Sequence, residues 1–456
     1  MKLYRKRIAA VLAVTASATV LAACGFGDDD TNEDGKVTIT VEGWRPGDEQ
    51  ATADSVKDLV KEFNKENPDI VVEPKEWEWK AETFPAQLAG GTLPTTFRVP
   101  FTDTLGLVQR QQIADVTKQV QALPYADSFN ASVLAAAQDA DGNIYGLPSD
   151  VYGMGLHYNR QLFEEAGLDP DKPPTTWDEV RQYAQQITDK TGQPGYAQMT
   201  KDNTGGWLLT TLTYAHGGRI EETDGDKTTA VIDNPQTAEV LQMLKEMRWD
   251  DKSMGSNLLL DWAGINQAFA AGKVGMYVGG SDVYNALVTT NSVDPDTYGL
   301  TVVPLTDSPE AGILGGGSVS VVNAKASDAE KEAAVKWNDF FRVRKLVDED
   351  AAVLDAKTLA ASDQPIGTPL LPVFDEETWK QQREWIADYI NVPVDQMTGF
   401  TDNIFAQQLV AEPPSHTQEV YGVLDAVVQK VLSDENADIA ELLAEANDKA
   451  DQILSQ

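Results

Sequence analysis

Cysteine occurs once in 456 residues, at position 24. An intramolecular disulfide, a thiolate metal cluster and a cysteine nucleophile in the body of the chain are therefore excluded together. Histidine is nearly as scarce: His157, His216 and His416 stand far apart and in no H-E-x-x-H spacing, so each reads as a surface or packing residue. Positive charge is short as well, with 36 Lys and Arg against 72 Asp and Glu and a net charge of −36. Such a surface repels phosphates, which removes nucleic acid as a partner and makes anionic lipid a poor one for the body of the chain. Phosphate-cradling and nucleophile motifs are incomplete. Gly315-Gly316-Gly317-Ser318 is followed by no P-loop lysine, Gly153-x-Gly155 lacks a third glycine, and Ser281 and Ser318 stand outside G-x-S-x-G contexts. Asp139-x-Asp141-Gly142-Asn143 has Ile144 where a calcium loop needs glycine, so it reads as a hairpin turn. The many acidic residues offer carboxylate pairs for glycoside hydrolysis, but nothing singles one out.

Against these absences, the composition is 42% hydrophobic and 24% charged, enough for a sizeable core in two or three domains or one bilobal unit. Lys2, Arg5, Lys6 and Arg7 precede an apolar stretch from Ile8 to Val20. That stretch is short of the roughly 20 residues needed to span a bilayer and suits a signal sequence. Leu21-Ala22-Ala23-Cys24, followed by Gly25, resembles the lipobox of bacterial lipoproteins. The resemblance implies cleavage before Cys24, lipid attachment to its sulfur, and anchoring on the extracellular face of the cell membrane. Residues 24–36, with Asp28-Asp29-Asp30 and Glu33-Asp34 and few apolar groups, read as an acidic tether.

Beyond the tether the pattern is α/β. Val37, Ile39 and Val41 alternate as in a strand; Val56, Leu59, Val60 and Phe63 form one helical stripe; Asn67-Pro68 breaks it before a second strand at Ile70-Val71-Val72. A strand, helix and strand in this order make a βαβ unit and a parallel pairing. Thr176 to Glu179 is a capping-box pattern, Ala333 to Phe341 marks a helix with Trp337 on its core stripe, and Ile439 to Ile453 marks a last helix. Aromatic and polar residues cluster where strands end: Trp44-Arg45 with Asp48 after the first, Trp77-Glu78-Trp79 after the second, Asp103 after Val99-Pro100-Phe101. In parallel α/β sheets ligands bind beyond the carboxyl ends of strands. Flat rings with a few polar groups are what a sugar needs, the ring stacking on the pyranose C–H face while polar groups take its hydroxyls.

Longer motifs carry a family resemblance. Gly146-Leu147-Pro148, then Tyr158-Asn159-Arg160-x-Leu162-Phe163-x-x-Ala166-Gly167-Leu168, then Pro174-x-Thr176-Trp177 resemble the extracellular solute-binding proteins of carbohydrate ABC transporters, the maltose-binding-protein-like family. Phe269-Ala270-Ala271-Gly272-Lys273-Val274-Gly275-Met276 and Val303-Pro304-Leu305 extend the match, which runs from about Val37 to the C-terminus. The resemblance implies an α/β, two-lobed periplasmic-binding-protein fold with a ligand cleft and three hinge crossings, near Leu147–Tyr152, Leu305–Gly315 and Pro365–Thr368. The lobes are then expected at 37–147 with 310–365 and at 152–305 with 368–456. The implied function is capture of a sugar or oligosaccharide and delivery to the permease subunits of an importer, by a monomer without cofactor, metal or catalytic residue. Implied ligand contacts are the Trp44, Arg45 and Asp48 loop, Asp103 or Thr102 beside it, Tyr152 at a cleft-carboxylate position, and Trp207 and Tyr421 at stacking positions. The family's Gly-Pro-Trp becomes Gly280-Ser281-Asp282, losing a stacking ring at Asp282 that Tyr284, Trp44 or Trp77 could replace. A lipoprotein glycoside hydrolase and a receptor for a peptide, polyamine or glycerol phosphate are the alternatives.

Overall fold

The structure, a computed structural model, describes residues 35–224 and 227–455. Cys24, the leader and most of the tether lie outside these residues. Ten strands occur among the described residues: β1 (Val37–Trp44), β2 (Ile70–Glu76), β3 (Thr96–Pro100), β4 (Gly146–Asn159), β5 (Glu221–Asp224), β6 (Lys227–Ala230), β7 (Met276–Gly280), β8 (Tyr298–Val302), β9 (Ile313–Val322) and β10 (Leu409–Ala411). β5 and β6 form a separate hairpin. The others form an eight-stranded sheet in the order β2-β1-β3-β9-β4-β7, with β10 added to β9 and β8 to β4.

The opening βαβ unit forms as its pattern indicates. β1 and β2 are parallel, joined by a helix at Gln50–Glu66 that buries Ala53, Val56, Val60 and Phe63 and ends at Asn67. Ile39 and Val41 are fully buried, and Trp337, 1% exposed, meets Phe63 edge-on with ring centroids 5.3 Å apart. Thr176 accepts from the Glu179 amide, but the return arm of the box falls one residue early, since Glu179 accepts from the Thr175 amide and hydroxyl. The complete box is at Ser327 and Glu330, opening the helix Asp328–Asn338. Asp139 to Asn143 is a turn, with Gly142 at φ +84° and the Asp139 carboxylate accepting the Asp141 and Asn143 amides.

Two strands carry the chain between lobes. The first half of β4 pairs with β9 and its second half, from Met154, with β7 and β8. β9 runs from Ile313–Gly315, beside β10, to Ser318–Val322, beside β3. The register between β4 and β9 breaks between Ser149 and Tyr152, so the break lies inside the expected first crossing. The change of partner in β9 falls at Gly316–Gly317, just past the expected Leu305–Gly315.

At the expected third crossing, Pro365–Thr368, the Thr368 hydroxyl donates to Asn285 at 2.6 Å, while its neighbours pack elsewhere. Ile366 is buried with Ala352, Ala356 and Ile386, and Phe374 stacks on Phe129 at 4.7 Å. The Asn130 amide donates to the Val373 carbonyl and the Asp375 amide to the Ser128 carbonyl. Much of the segment 366–390 therefore packs beside residues of the expected first lobe. Residues 394–396 pack beside β8, and Gly399 and Phe400 meet Thr301 and Gly155.

Candidate functional site

The carboxyl ends of β3 and β10, the break in β4 and the glycines of β9 converge on one cleft of about 820 Å³. That is within the roughly 300–1,000 Å³ of ordinary small-molecule sites. One wall is the start of the helix Phe101–Gln109, with Thr102 and Asp103; the opposite wall is Glu412 and the start of the helix Thr417–Ser433. Tyr152, Gly316 and Gly317 form the floor between them.

The floor is built by close approach. A Cβ on Gly316 would lie 2.6 Å from the Tyr152 hydroxyl oxygen, and one on Gly317 would lie 3.1 Å from the Val151 Cα and from Phe101 Cζ. The glycine run thus lets the Tyr152 ring lie flat across β9. Tyr152 donates to Glu412 Oε1 at 2.6 Å, and Tyr421 donates to Glu412 Oε2 at 2.9 Å. Burial raises the Glu412 carboxyl above its ordinary range, and the two tyrosine bonds oppose that rise. Burial, then the Glu412 charge, pushes the Tyr152 hydroxyl far upward, so it stays a donor. Trp207 meets Tyr152 edge-on at 6.3 Å.

Trp207 is placed by a borrowed cap. Asn203 opens the helix Thr204–Ala215 at φ +69° and offers no side-chain cap; instead Asp425 of the helix Thr417–Ser433 accepts from the Asn203 and Gly206 amides, each at 2.8 Å. Gly206 allows the two helices to touch, since its Cβ would meet the Tyr421 carbonyl oxygen at 2.3 Å. On the opposite wall Asp103 accepts from the Thr102 hydroxyl at 3.2 Å; burial raises its carboxyl, and Thr102 and the neighbouring Trp79 oppose the rise.

Of the residues singled out in the sequence, the structure brings Asp103, Tyr152, Trp207 and Tyr421 together, with Asp282 close enough to Tyr152 for its charge to act on the phenol. Tyr421 is 2% exposed and supports Glu412 rather than offering a face. Trp77 and Tyr284 do not reach the cleft. Trp77 is buried on Phe97 at 4.9 Å with its indole N–H on Gln87, and Tyr284 is buried on Tyr298 at 4.8 Å. Trp79, two residues beyond Trp77, is the ring that turns to Asp103. Trp44, Arg45 and Asp48 form an outer loop, with Lys57 over the Trp44 ring at 5.5 Å and the Arg45 amide donating to Asp48 at 2.7 Å. Glu78 is paired with Lys80 at 2.7 Å. None of these four lines the cleft.

Glu82, Asp150, Glu412, His416 and Gln418 line the cleft without having been singled out. For Asp150 a signal existed in its place inside the expected first crossing. For Glu412 there was none, because β10 is three residues long. A second hollow of about 750 Å³ lies on the outer side of the second lobe, between Trp177, His216 and Leu443. It touches no crossing, and its Arg181 is already engaged by Asp251 and Glu246.

Two lobes joined by shared strands, with a polar and aromatic cleft at the joint, define a hinged binding protein. The chain belongs to the family of bacterial extracellular solute-binding proteins, which it matches over residues 58–344. It is 26% identical over 303 residues to the sn-glycerol-3-phosphate-binding periplasmic protein UgpB of Escherichia coli, a match covering 62% of this chain and 66%, slightly under two thirds, of that protein. Among solved structures, it resembles the cyclic alpha-maltosyl-1,6-maltose binding protein of Arthrobacter globiformis, with TM-score 0.68, 23% identity, and 92% and 99% of the two chains covered. It also resembles UgpB of Mycobacterium tuberculosis solved with glycerophosphocholine, with TM-score 0.66, 17% identity, and 92% and 98% covered. At these identities the structural likenesses establish the fold. Among the described residues no helix is long and apolar enough to cross a membrane.

Proposed function

We propose that the protein captures an uncharged sugar or oligosaccharide in this cleft, closes its lobes on it, and delivers it to the permease of an ABC importer without breaking any bond. The observation that carries this reading is the cleft's chemistry: the Tyr152 ring, with Trp207 packed edge-on against it, beside the carboxylates of Asp103 and Glu412, which accept from hydroxyls. Both carboxylates are already oriented by neighbours, and a sugar rewards such preorganised acceptors. Cyclic maltosyl-maltose binding by the Arthrobacter relative agrees with this class of ligand.

A glycerol phosphate ligand, suggested by the UgpB relatives, fits less well. No Lys or Arg lines the cleft among the described residues, while Glu82, Asp103, Asp150, Glu412 and Glu419 do. The starts of two helices face the cleft and favour an anion by their dipoles. Each is worth only about 0.3–1 kcal/mol, and the cleft's five carboxylates outweigh that. The leader and Cys24 support a lipid-anchored protein on the outer face of the membrane, acting as a monomer.

The test is a thermal-shift screen of the full chain against xylo-, malto-, cello- and chito-oligosaccharides and sn-glycerol 3-phosphate. A true ligand at 100 times its dissociation constant adds about 2.7 kcal/mol of stability. A shift with one saccharide series and none with the phosphate supports the proposal. A shift with the phosphate alone, or release of shorter sugars during incubation, overturns it. Incorporation of a labelled fatty acid that is lost in Cys24→Ser tests the anchor.

A further inference from the structure

We infer that Asp150 is a positioning residue: it latches the β4 crossing to the first lobe and so sets where Tyr152 stands in the cleft. The inference rests on the reading of this cleft as the solute site.

Asp150 sits in the register break, where Asp150 and Val151 of β4 stand opposite the single residue Gly317 of β9. Its φ of +50° places a non-glycine residue in the left-handed region, which persists only when the surroundings hold it there. What holds it is charge. Arg98, on β3 of the first lobe, donates to Asp150 Oδ2 at 2.7 Å, and Arg342 lies 3.8 Å from the same oxygen. Arg98 is itself fixed by Glu42, which is 7% exposed: Oε1 accepts from Arg98 Nε at 3.0 Å and Nη2 at 2.7 Å, and Oε2 accepts the Arg98 amide at 2.7 Å. Arg342 stacks over the Phe341 ring at 4.3 Å.

Every partner of the Asp150 carboxylate named here belongs to the first lobe, while the chain two residues on carries Tyr152, which donates to Glu412 of the second. The bulge is therefore tied on one side by ion pairs and on the other by a phenol–carboxylate bond. The Asp150 carboxylate is 52% exposed and the Arg98 side chain 18%, so the pair draws its strength from Arg98 being fixed in advance by Glu42 rather than from burial of the acid. Held in this way, the bulge turns β4 so that the Tyr152 ring crosses Gly316. Released, the bulge can relax into regular pairing, which shifts the Tyr152 side chain off the Glu412 carboxylate.

The test uses the full-length protein and two variants. Asp150→Asn removes the charge and keeps a side chain tolerant of left-handed backbone; Arg342→Gln leaves the crossing itself untouched. Amide hydrogen exchange in ligand-free protein is followed in peptides covering 149–153 and 315–319, with the remote helix 439–454 as control. Titration calorimetry then uses whichever oligosaccharide of the xylo-, malto-, cello- and chito- panel shifts melting of the natural protein. We expect both variants to speed exchange at the crossing by about tenfold or more while the control stays unchanged, as for a local opening. Binding should weaken about tenfold at unchanged stoichiometry. Unchanged exchange at the crossing in both variants overturns the latch. Faster exchange with unaltered affinity overturns the positioning role. If the natural protein binds no saccharide of the panel, the functional reading falls and the exchange result alone decides the latch.

Discussion

Glu412 is the residue on which the site turns, because both of its oxygens are spoken for by phenols from different elements. Tyr152→Phe removes one donor and leaves a partly buried carboxylate oxygen unpaired. Hydrogen bonds to charged groups are worth about 1.5–3 kcal/mol, so calorimetry should show saccharide affinity falling by that order with the circular dichroism spectrum unchanged. Trp207→Ala should weaken binding by about 1–3 kcal/mol through loss of a cleft-side ring; unchanged affinity would remove Trp207 from the site. Trp77→Ala serves as the contrast, since its ring packs on Phe97 in the core. It should cost about 3–5 kcal/mol in denaturant unfolding and leave the affinity of the folded protein unaltered. Residue type alone could not separate these tryptophans: Trp77 and Trp79 share the carboxyl end of one strand, and only the packing of Phe84 and Phe97 decides which ring is buried.

Among elements, the helix Thr204–Ala215 and the hairpin of β5 and β6 carry the sharpest expectations. The helix start depends on Asp425 from another helix. Asp425→Ala should cost about 1.5–3 kcal/mol of stability, measured by urea unfolding, and should lower saccharide affinity because Trp207 lies in the first turn of that helix. Glu221, at the start of β5, is 9% exposed with Oε1 unpartnered, and burial raises its carboxyl to about 7 from an ordinary 4.5. A carboxyl raised in the folded state binds its proton more tightly there than in the unfolded chain. Its charging therefore opposes folding above about pH 7, and this cost disappears as pH falls towards 4.5. Glu221→Gln should accordingly be more stable than the natural protein at pH 8, by roughly 2–3 kcal/mol, with the difference closing near pH 4.5. Melting curves across that range check the sign, and a difference that widened on acidification would contradict it. Elements built from local periodicity, such as the helix Gln50–Glu66 and the last helix Ile439–Leu454, were legible from apolar spacing. β10 and the Asp425 cap were not, because a three-residue strand has no period and a cap from a distant helix leaves no local mark.

For the whole molecule, the two-lobed α/β architecture could be read from the family motifs around Gly146 and Tyr158, while the register break inside β4 could not. The partners of Ile366 and Phe374 are likewise a long-range packing decision that Pro365 and Gly367 do not announce. The shared strands β4 and β9 make lobe movement a bend at the glycine run rather than a sliding of surfaces. A ligand drives closure only by binding the closed form better than the open one, so it must touch both walls, Asp103 on one side and the Tyr152–Glu412 pair on the other. The most direct measurement is a calorimetric titration of the full chain with the oligosaccharide panel and sn-glycerol 3-phosphate side by side. Saturable one-to-one binding of at least one uncharged saccharide is expected, with no heat from the phosphate. One-to-one binding of the phosphate with silence across every saccharide would contradict it.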